Sequence, residues 1–324
     1  GRFASGAVAL AIALASAPLG QAFAQEQTSA EEAFASSRHW ASQIRSYASK
    51  SLNSDEALSV AAIPLNGPGI EQYVNADTLM SPGSIMKLVT TYAALELLGP
   101  THHWKTDFLT DGMMVGDSLK GNLYVRFGGD PKLTLERLWS TLRELKSMGI
   151  NRIEGDLVLD GSYFRVDGGF PTFEDNGDNP HAPFLVEPSG YLTNLNLLHF
   201  QVRADERGTQ AWTTPDLGEV SIDNRVTALP EGPCPARSRF DWEPVFHENH
   251  QVTVRVTGQL PQGCRSTTYL SLLPQKRYSA SVIRSVLSEM GIIVSGGDRF
   301  EGTPEDARLI MRTTSPDLVS MVRH

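Results

Sequence analysis

Residues 81–98 read as one sharply bounded helix, and the rest of the chain has to be arranged around it. Ser81 offers a capping hydroxyl, and Pro82 suits the first helical position. Ile85, Leu88, Val89, Tyr92 and Leu95 follow at helical spacing, and Gly99-Pro100 ends the run. Inside the first turns stand Ser84 and Lys87, three residues apart and so on one face.

That spacing points to a specific chemistry. A lysine held beside a serine hydroxyl can take its proton if burial and the positive helix end lower the lysine pKa. The result is an activated serine nucleophile that needs no histidine. A bare Ser-x-x-Lys match carries little weight, because both residues are common on helix surfaces. Here the context strengthens it. Of the lysines at 50, 87, 105, 120, 132, 146 and 276, only Lys87 has a serine three residues before it. That serine sits at the start of a helix, where the dipole stabilises developing negative charge.

Around this helix the chain changes style twice. Residues 25–50 form an exposed, then helical lead-in. Residues 57–63 and 72–74 read as strands joined by the turn Asn66-Gly67-Pro68-Gly69. From Lys105 short strands take over, at 108–115 and 122–127, with Gly116-Asp117 as a hairpin turn. A helix over 135–148 places Leu138, Leu142 and Leu145 on one face and stops at Gly149. A strand follows over 152–160, then a long loop over 161–188 rich in Gly, Pro, Asn and Asp. Strands return at 197–203, 218–226 and 251–258. A helix over 279–290, a strand at 292–294 and a last helix opened by Ser315-Pro316 complete the pattern. The fold class expected is α/β (α+β). One domain, residues 25–104 and 277–324, is discontinuous and incomplete, and a β-rich region of two subdomains, 105–276, is inserted in it.

The chain has 324 residues and a formal net charge of −9. No basic run appears, so nucleic acid is not an expected partner. Residues 1–24 read as a secretory signal. Arg2 supplies charge, residues 7–15 form a short apolar core, and Ala22-Phe23-Ala24 offers a cleavage site. No second apolar stretch is long enough for a membrane span, so the mature chain is expected to be exported without a transmembrane anchor. Cys234 and Cys264 are the two cysteines. An even count in an exported chain points to one disulfide, the alternative being two separate buried thiols.

Several stretches together resemble the D-alanyl-D-alanine carboxypeptidase/endopeptidase family, the low-molecular-mass class C penicillin-binding proteins. They are Ser-Pro-Gly-Ser-Ile-Met-Lys at 81–87, Gly-Asn-Leu-Tyr-Val-Arg-Phe-Gly-Gly-Asp-Pro at 121–131 and the run from Gly149 to Phe164. Pro188-Ser-Gly-Tyr-Leu-Thr-Asn-Leu-Asn fits less closely, and the stretch from Tyr278 through Ser295-Gly296-Gly297 to Ser315-Pro316-Asp-Leu closes the match. The resemblance implies a serine β-lactamase/transpeptidase-like fold with a large insertion after the first motif. It implies Ser84 as acyl-accepting nucleophile, Lys87 as its base, and Asp160 as a contact to the substrate's amino group. For Asp160 the alternative is a strand-end aspartate making a local turn bond. The implied substrates are peptidoglycan stem peptides and cross-links, with β-lactams as inhibitors and no cofactor. The implied place is the periplasm of a Gram-negative-type bacterium.

Departures accompany the match. The family completes its site with a Ser-x-Asn motif and a Lys-Thr/Ser-Gly motif, and neither follows the tetrad here. Ser51-Leu52-Asn53 lies upstream of the nucleophile. The resemblance places the missing motifs past His324, so residues 1–324 are expected to be a fragment that is nearly inactive alone. The loop at 171–183 also lacks the tryptophan-bearing pattern expected of relatives.

Other candidate sites weigh less. His247-Glu-Asn-His250 has its histidines three apart, not the four of a zinc-protease helix, and reads as a polar loop. His102-His103 reads as a solvated turn, and His181 lies in a loop with no partner in view. Gly128-Gly129 and Ser295-Gly296-Gly297 lack phosphate-loop spacing. No metal site is expected. Two rival functions share the tetrad: a serine β-lactamase, which needs no large β insertion, and a non-catalytic peptidoglycan-binding module.

Overall fold

The computed structural model describes residues 26–52, 58–65, 71–164, 180–235 and 240–323. The expected signal at 1–24, the turn at 66–69 and most of the loop at 171–183 lie outside them. The chain divides into two compact units, residues 1–97 and 98–324.

The first unit opens with α1 (Glu26–Leu52). Strands β1 (Val60–Ala62) and β2 (Gln72–Val74) pair antiparallel, Val60 opposite Val74. Helix α2 (Met86–Leu98) follows a 3-10 turn over Gly83–Ile85. Gly99 beyond it adopts φ +83°, the left-handed ending that glycine permits.

The second unit is built on a five-stranded sheet. Strand β3 (Lys105–Thr110) leads to a hairpin of β4 (Met113–Val115) and β5 (Ser118–Lys120), turned at Gly116-Asp117 as expected. Next comes β6 (Leu123–Phe127), then α3 (Leu135–Ser147), β7 (Arg152–Ile153) and β8 (Leu157–Asp160). Helix α3 is the crossover that lets β8 lie parallel to β6. Thr134 caps it by accepting the Arg137 N–H, and Leu138, Thr141, Leu142 and Leu145 form its buried face.

The middle of this unit is β-rich. Strands β9 (Leu198–Asp205) and β10 (Gly208–Thr214) form a hairpin. Strand β11 (Val220–Leu229) runs parallel to β13 (Val252–Pro261), which also pairs antiparallel with β12 (Phe240–Phe246). Strand β14 (Arg265–Leu270) returns to the edge of β9. Sequence reading missed β10, β12 and β14. Each is completed by a partner strand, not by its own pattern.

The C-terminal stretch carries α4 (Gln275–Glu289), β15 (Ile293–Val294), β16 (Asp298–Phe300), β17 (Arg308–Thr314) and α5 (Leu318–Arg323). The main sheet has the order β16-β8-β6-β3-β17, and β15 extends a second sheet, β15-β7-β5-β4. Residues 293–314 are laddered onto strands from 105–160, across the position 276 where the sequence reading expected a change of region. The reason is hydrogen bonding: β3 and β8 leave free sheet edges that only β17 and β16 fill.

One hydrophobic core joins these layers. It includes Phe108, Leu123 and Phe127 of the main sheet and Leu142 and Leu145 of α3. Phe200 and Val254 come from the middle sheets, and Ile283 and Val286 from α4. Strand β8 is buried along its whole length, and β6 at every residue but Arg126.

Candidate active site

Ser84 sits in the 3-10 turn and Lys87 in the first turn of α2. The entry differs from the expected cap. Pro82 occupies the flanking position, no side chain caps the turn, and the Ile85 N–H instead bonds the Pro82 carbonyl at 3.0 Å. Gly83, at φ +51°, makes the tight bend that brings the chain in. With the chain entering through that bend, the Ser81 hydroxyl forms no cap.

The pairing expected from spacing is present. Lys87 Nζ donates to Ser84 Oγ at 3.1 Å. An ammonium gives this hydrogen bond, and a neutral amine at the same distance would accept the hydroxyl proton. Both side chains are exposed in this unit. The first N–H groups of a helical turn lack intrahelical acceptors, so the backbone at Ser84 has donors to offer an oxyanion.

In the second unit Asp160 ends β8 and is buried at 2% exposure. Its Oδ1 accepts from the Ser162 N–H (2.9 Å) and Oγ (2.6 Å), and its Oδ2 accepts from the Thr303 N–H at 2.8 Å. Burial pushes its pKa up, but these donors outweigh burial and hold the carboxyl below the usual range. The local turn bond is therefore present, and a tie to the 301–304 loop joins it.

Three histidines gain partners that the sequence reading did not name. His103 is exposed, as the sequence reading has it, and its Nδ1 also meets the Ser315 carbonyl at 2.8 Å. His181 has partners, since its Nδ1 meets the Ser271 carbonyl at 3.0 Å and its ring approaches Trp242 and Phe246. The two carbonyl partners lie 212 and 90 residues away, so local reading misses them. His247, in the loop between β12 and β13, meets the Thr253 hydroxyl at 2.9 Å. Among the described residues no group of three His, Cys, Asp or Glu is placed to hold a metal ion. None of the helices among them is long and apolar enough to cross a membrane.

Cys234 and Cys264 form a disulfide with Cα atoms 5.4 Å apart. It ties the segment after β11 to the β13–β14 turn. Two charge clusters escaped the sequence reading. Asp107 on β3 accepts from Arg126 on β6 (2.8 Å) and from Arg312 on β17 (2.9 Å). Burial raises its pKa, but Arg312 and then Arg126 outweigh that and hold it low. Buried Asp130 accepts from Arg137 at 2.7 Å, and the same guanidinium reaches the Thr314 carbonyl at 2.7 Å. The ladder of β17 on β3 brings Arg312 and Thr314 to these clusters.

With this geometry in view, known proteins supply a family. The chain is 27% identical over 262 residues to D-alanyl-D-alanine carboxypeptidase DacB of Haemophilus influenzae, covering 77% of this chain and 51% of that protein. It is 28% identical over 258 residues to a D-alanyl-D-alanine carboxypeptidase of Actinomadura sp. strain R39, covering 73% and 45%. The chain thus spans about half the length of these curated relatives. Among solved structures it resembles penicillin-binding protein 4 from Haemophilus influenzae, with TM-score 0.58 and 26% identity over 76% of this chain and 53% of that one. The same protein complexed with a β-lactam matches with TM-score 0.53 at 26% identity, over 76% of this chain and 51% of that one. The model of the D-Ala-D-Ala carboxypeptidase 3 (S13) family matches residues 51–324, and the chain belongs to that family.

Proposed function

We propose that the complete gene product is an exported serine-type D-Ala-D-Ala carboxypeptidase and endopeptidase that acts on peptidoglycan stem peptides and cross-links and is acylated by β-lactams. The observation that carries this reading is the 3.1 Å contact between Lys87 Nζ and Ser84 Oγ at a helix start, within the span matched by the family. Membership of a carboxypeptidase family and a β-lactam complex of a relative support it. The apolar segment over 7–15 and the Ala22-Phe23-Ala24 site support export, with the periplasm as destination.

In the mechanism, neutral Lys87 Nζ takes the Ser84 hydroxyl proton as Oγ attacks the carbonyl of the D-Ala-D-Ala bond. Backbone N–H groups at the helix start stabilise the tetrahedral oxyanion. The carbon–nitrogen bond then breaks, and the proton passes to the leaving amine. Water hydrolyses the Ser84 ester and restores the hydroxyl. Because acyl transfer to β-lactams follows the same path, a labelled penicillin reports on the nucleophile directly.

The test is mass spectrometry of the complete gene product after incubation with penicillin. One penicilloyl group on the Ser84 peptide, absent from Ser84→Ala, supports the reading. An unmodified protein, or an adduct elsewhere, overturns it. Deacylation lasting hours fits a peptidase, whereas deacylation in milliseconds would move the protein to the β-lactamases.

A further inference from the structure

A cleft of about 460 Å³ opens beside the start of β3, wholly inside the second unit. Trp104, Lys105, Asp107, Arg126, Phe127 and Tyr163 line it. Its charge balance is opposite to that of the chain, which carries −9 overall. Asp107 is the one carboxylate among the lining residues, and it is already shared by two guanidiniums, Arg126 and Arg312. One negative charge against two positive leaves an excess cation. Arg126 commits a single N–H to Asp107 and is 45% exposed, so other donors of its planar fork remain open. Lys105 adds a second cation, and among the described residues its ammonium has no carboxylate partner. Trp104 and Tyr163 add aromatic rings to the same lining. Gly128 closes the floor: a Cβ there would lie 2.4 Å from the Lys105 carbonyl, so only glycine lets the strands approach so closely.

We infer that this cleft binds a free carboxylate of a peptidoglycan strand. Lys105 and Arg126 hold the anion while the aromatic rings cover the adjoining sugar or peptide. Guanidinium and ammonium donors favour a carboxylate over a neutral group, and flat rings beside them suit an amphipathic ligand. The inference rests on the substrate class proposed above, and it places a second hold on the polymer apart from the serine–lysine pair.

The test is direct binding, read separately from acylation. A purified disaccharide-tetrapeptide with free carboxylates, and its carboxyl-amidated form, are titrated into the complete gene product carrying Ser84→Ala. Lys105→Glu in that background should weaken binding of the acid form roughly fivefold, as loss and reversal of one exposed ion pair implies. Lys105→Arg should bind like the parent. The amidated ligand should bind weakly and equally to parent and Lys105→Glu. Equal affinity of parent and Lys105→Glu for the acid form, or an amidated ligand that binds as well as the acid, overturns the inference. A missing penicilloyl adduct would instead overturn the proposed catalysis and leave this titration to be read alone.

Discussion

Helices α2 and α3 have 13 residues each and opposite designs. Helix α3 has a Thr134 cap, a polar outer face and a buried stripe of Leu138, Thr141, Leu142 and Leu145. Helix α2 has no buried residue in its unit, and Leu88, Val89 and Tyr92 are exposed there. Its apolar residues surround the axis, the pattern of a helix built to be enclosed. Helix α3 thus serves packing, and its charged neighbours are committed to the fold. The start of α2 carries the proposed chemistry, with one serine–lysine contact whose atoms stay available. A nucleophile has to remain free to react, whereas a buried ion pair must be fully partnered to be tolerated.

Substitutions can sharpen or break that contrast. The largest effect is expected at the tetrad. Lys87→Met in the complete gene product should slow penicillin acylation by roughly 10²–10⁴-fold, the usual worth of a positioned base, with little change in melting temperature. A variant that acylates normally but melts several degrees lower would make the lysine a structural residue. In the second unit the balance should invert. Removing the disulfide by Cys234→Ser with Cys264→Ser should lower unfolding free energy by roughly 3–4 kcal/mol in the chain-entropy account, measured by urea titration. Arg137→Ala should cost about 3 kcal/mol, because it strands the buried Asp130 carboxylate. Retained stability in Arg137→Ala would show that the cluster contributes nothing net.

The smallest effect concerns pH. The folded-state pKa of Asp160 lies below its ordinary value, because Ser162 and Thr303 donors overcome burial. The stabilisation from its charged form is therefore complete above the unfolded pKa of about 3.9 and is lost as pH falls through the folded value. Asp160→Asn should accordingly lose less stability than the parent between neutral pH and about pH 3. Parallel acid titrations of melting temperature for the two proteins would contradict this.

Much of the organisation was legible in residue order. Glycine at 99, 116 and 149 marks real endings and a real turn, each at positive φ. The stripe of leucines at 138, 142 and 145 announces α3, and the three-residue interval from Ser84 to Lys87 announces their contact. All of these depend on bonds or faces within a few residues, so periodicity and turn chemistry expose them. The even cysteine count left two readings open, and the 5.4 Å approach of the Cα atoms decided between them.

The sequence by itself determined this protein's local grammar: where helices stop, and which serine can meet which lysine. Tertiary structure alone decided that β15, β16 and β17 belong with β7, β8 and β3. It alone brought Arg312 to Asp107 across 205 residues, Arg137 to Thr314 across 177, and the Asp160 carboxylate to Thr303 across 143. The physical reason is that sheet edges and buried charges must find partners anywhere along the chain, and nothing in the residues beside them says where those partners lie.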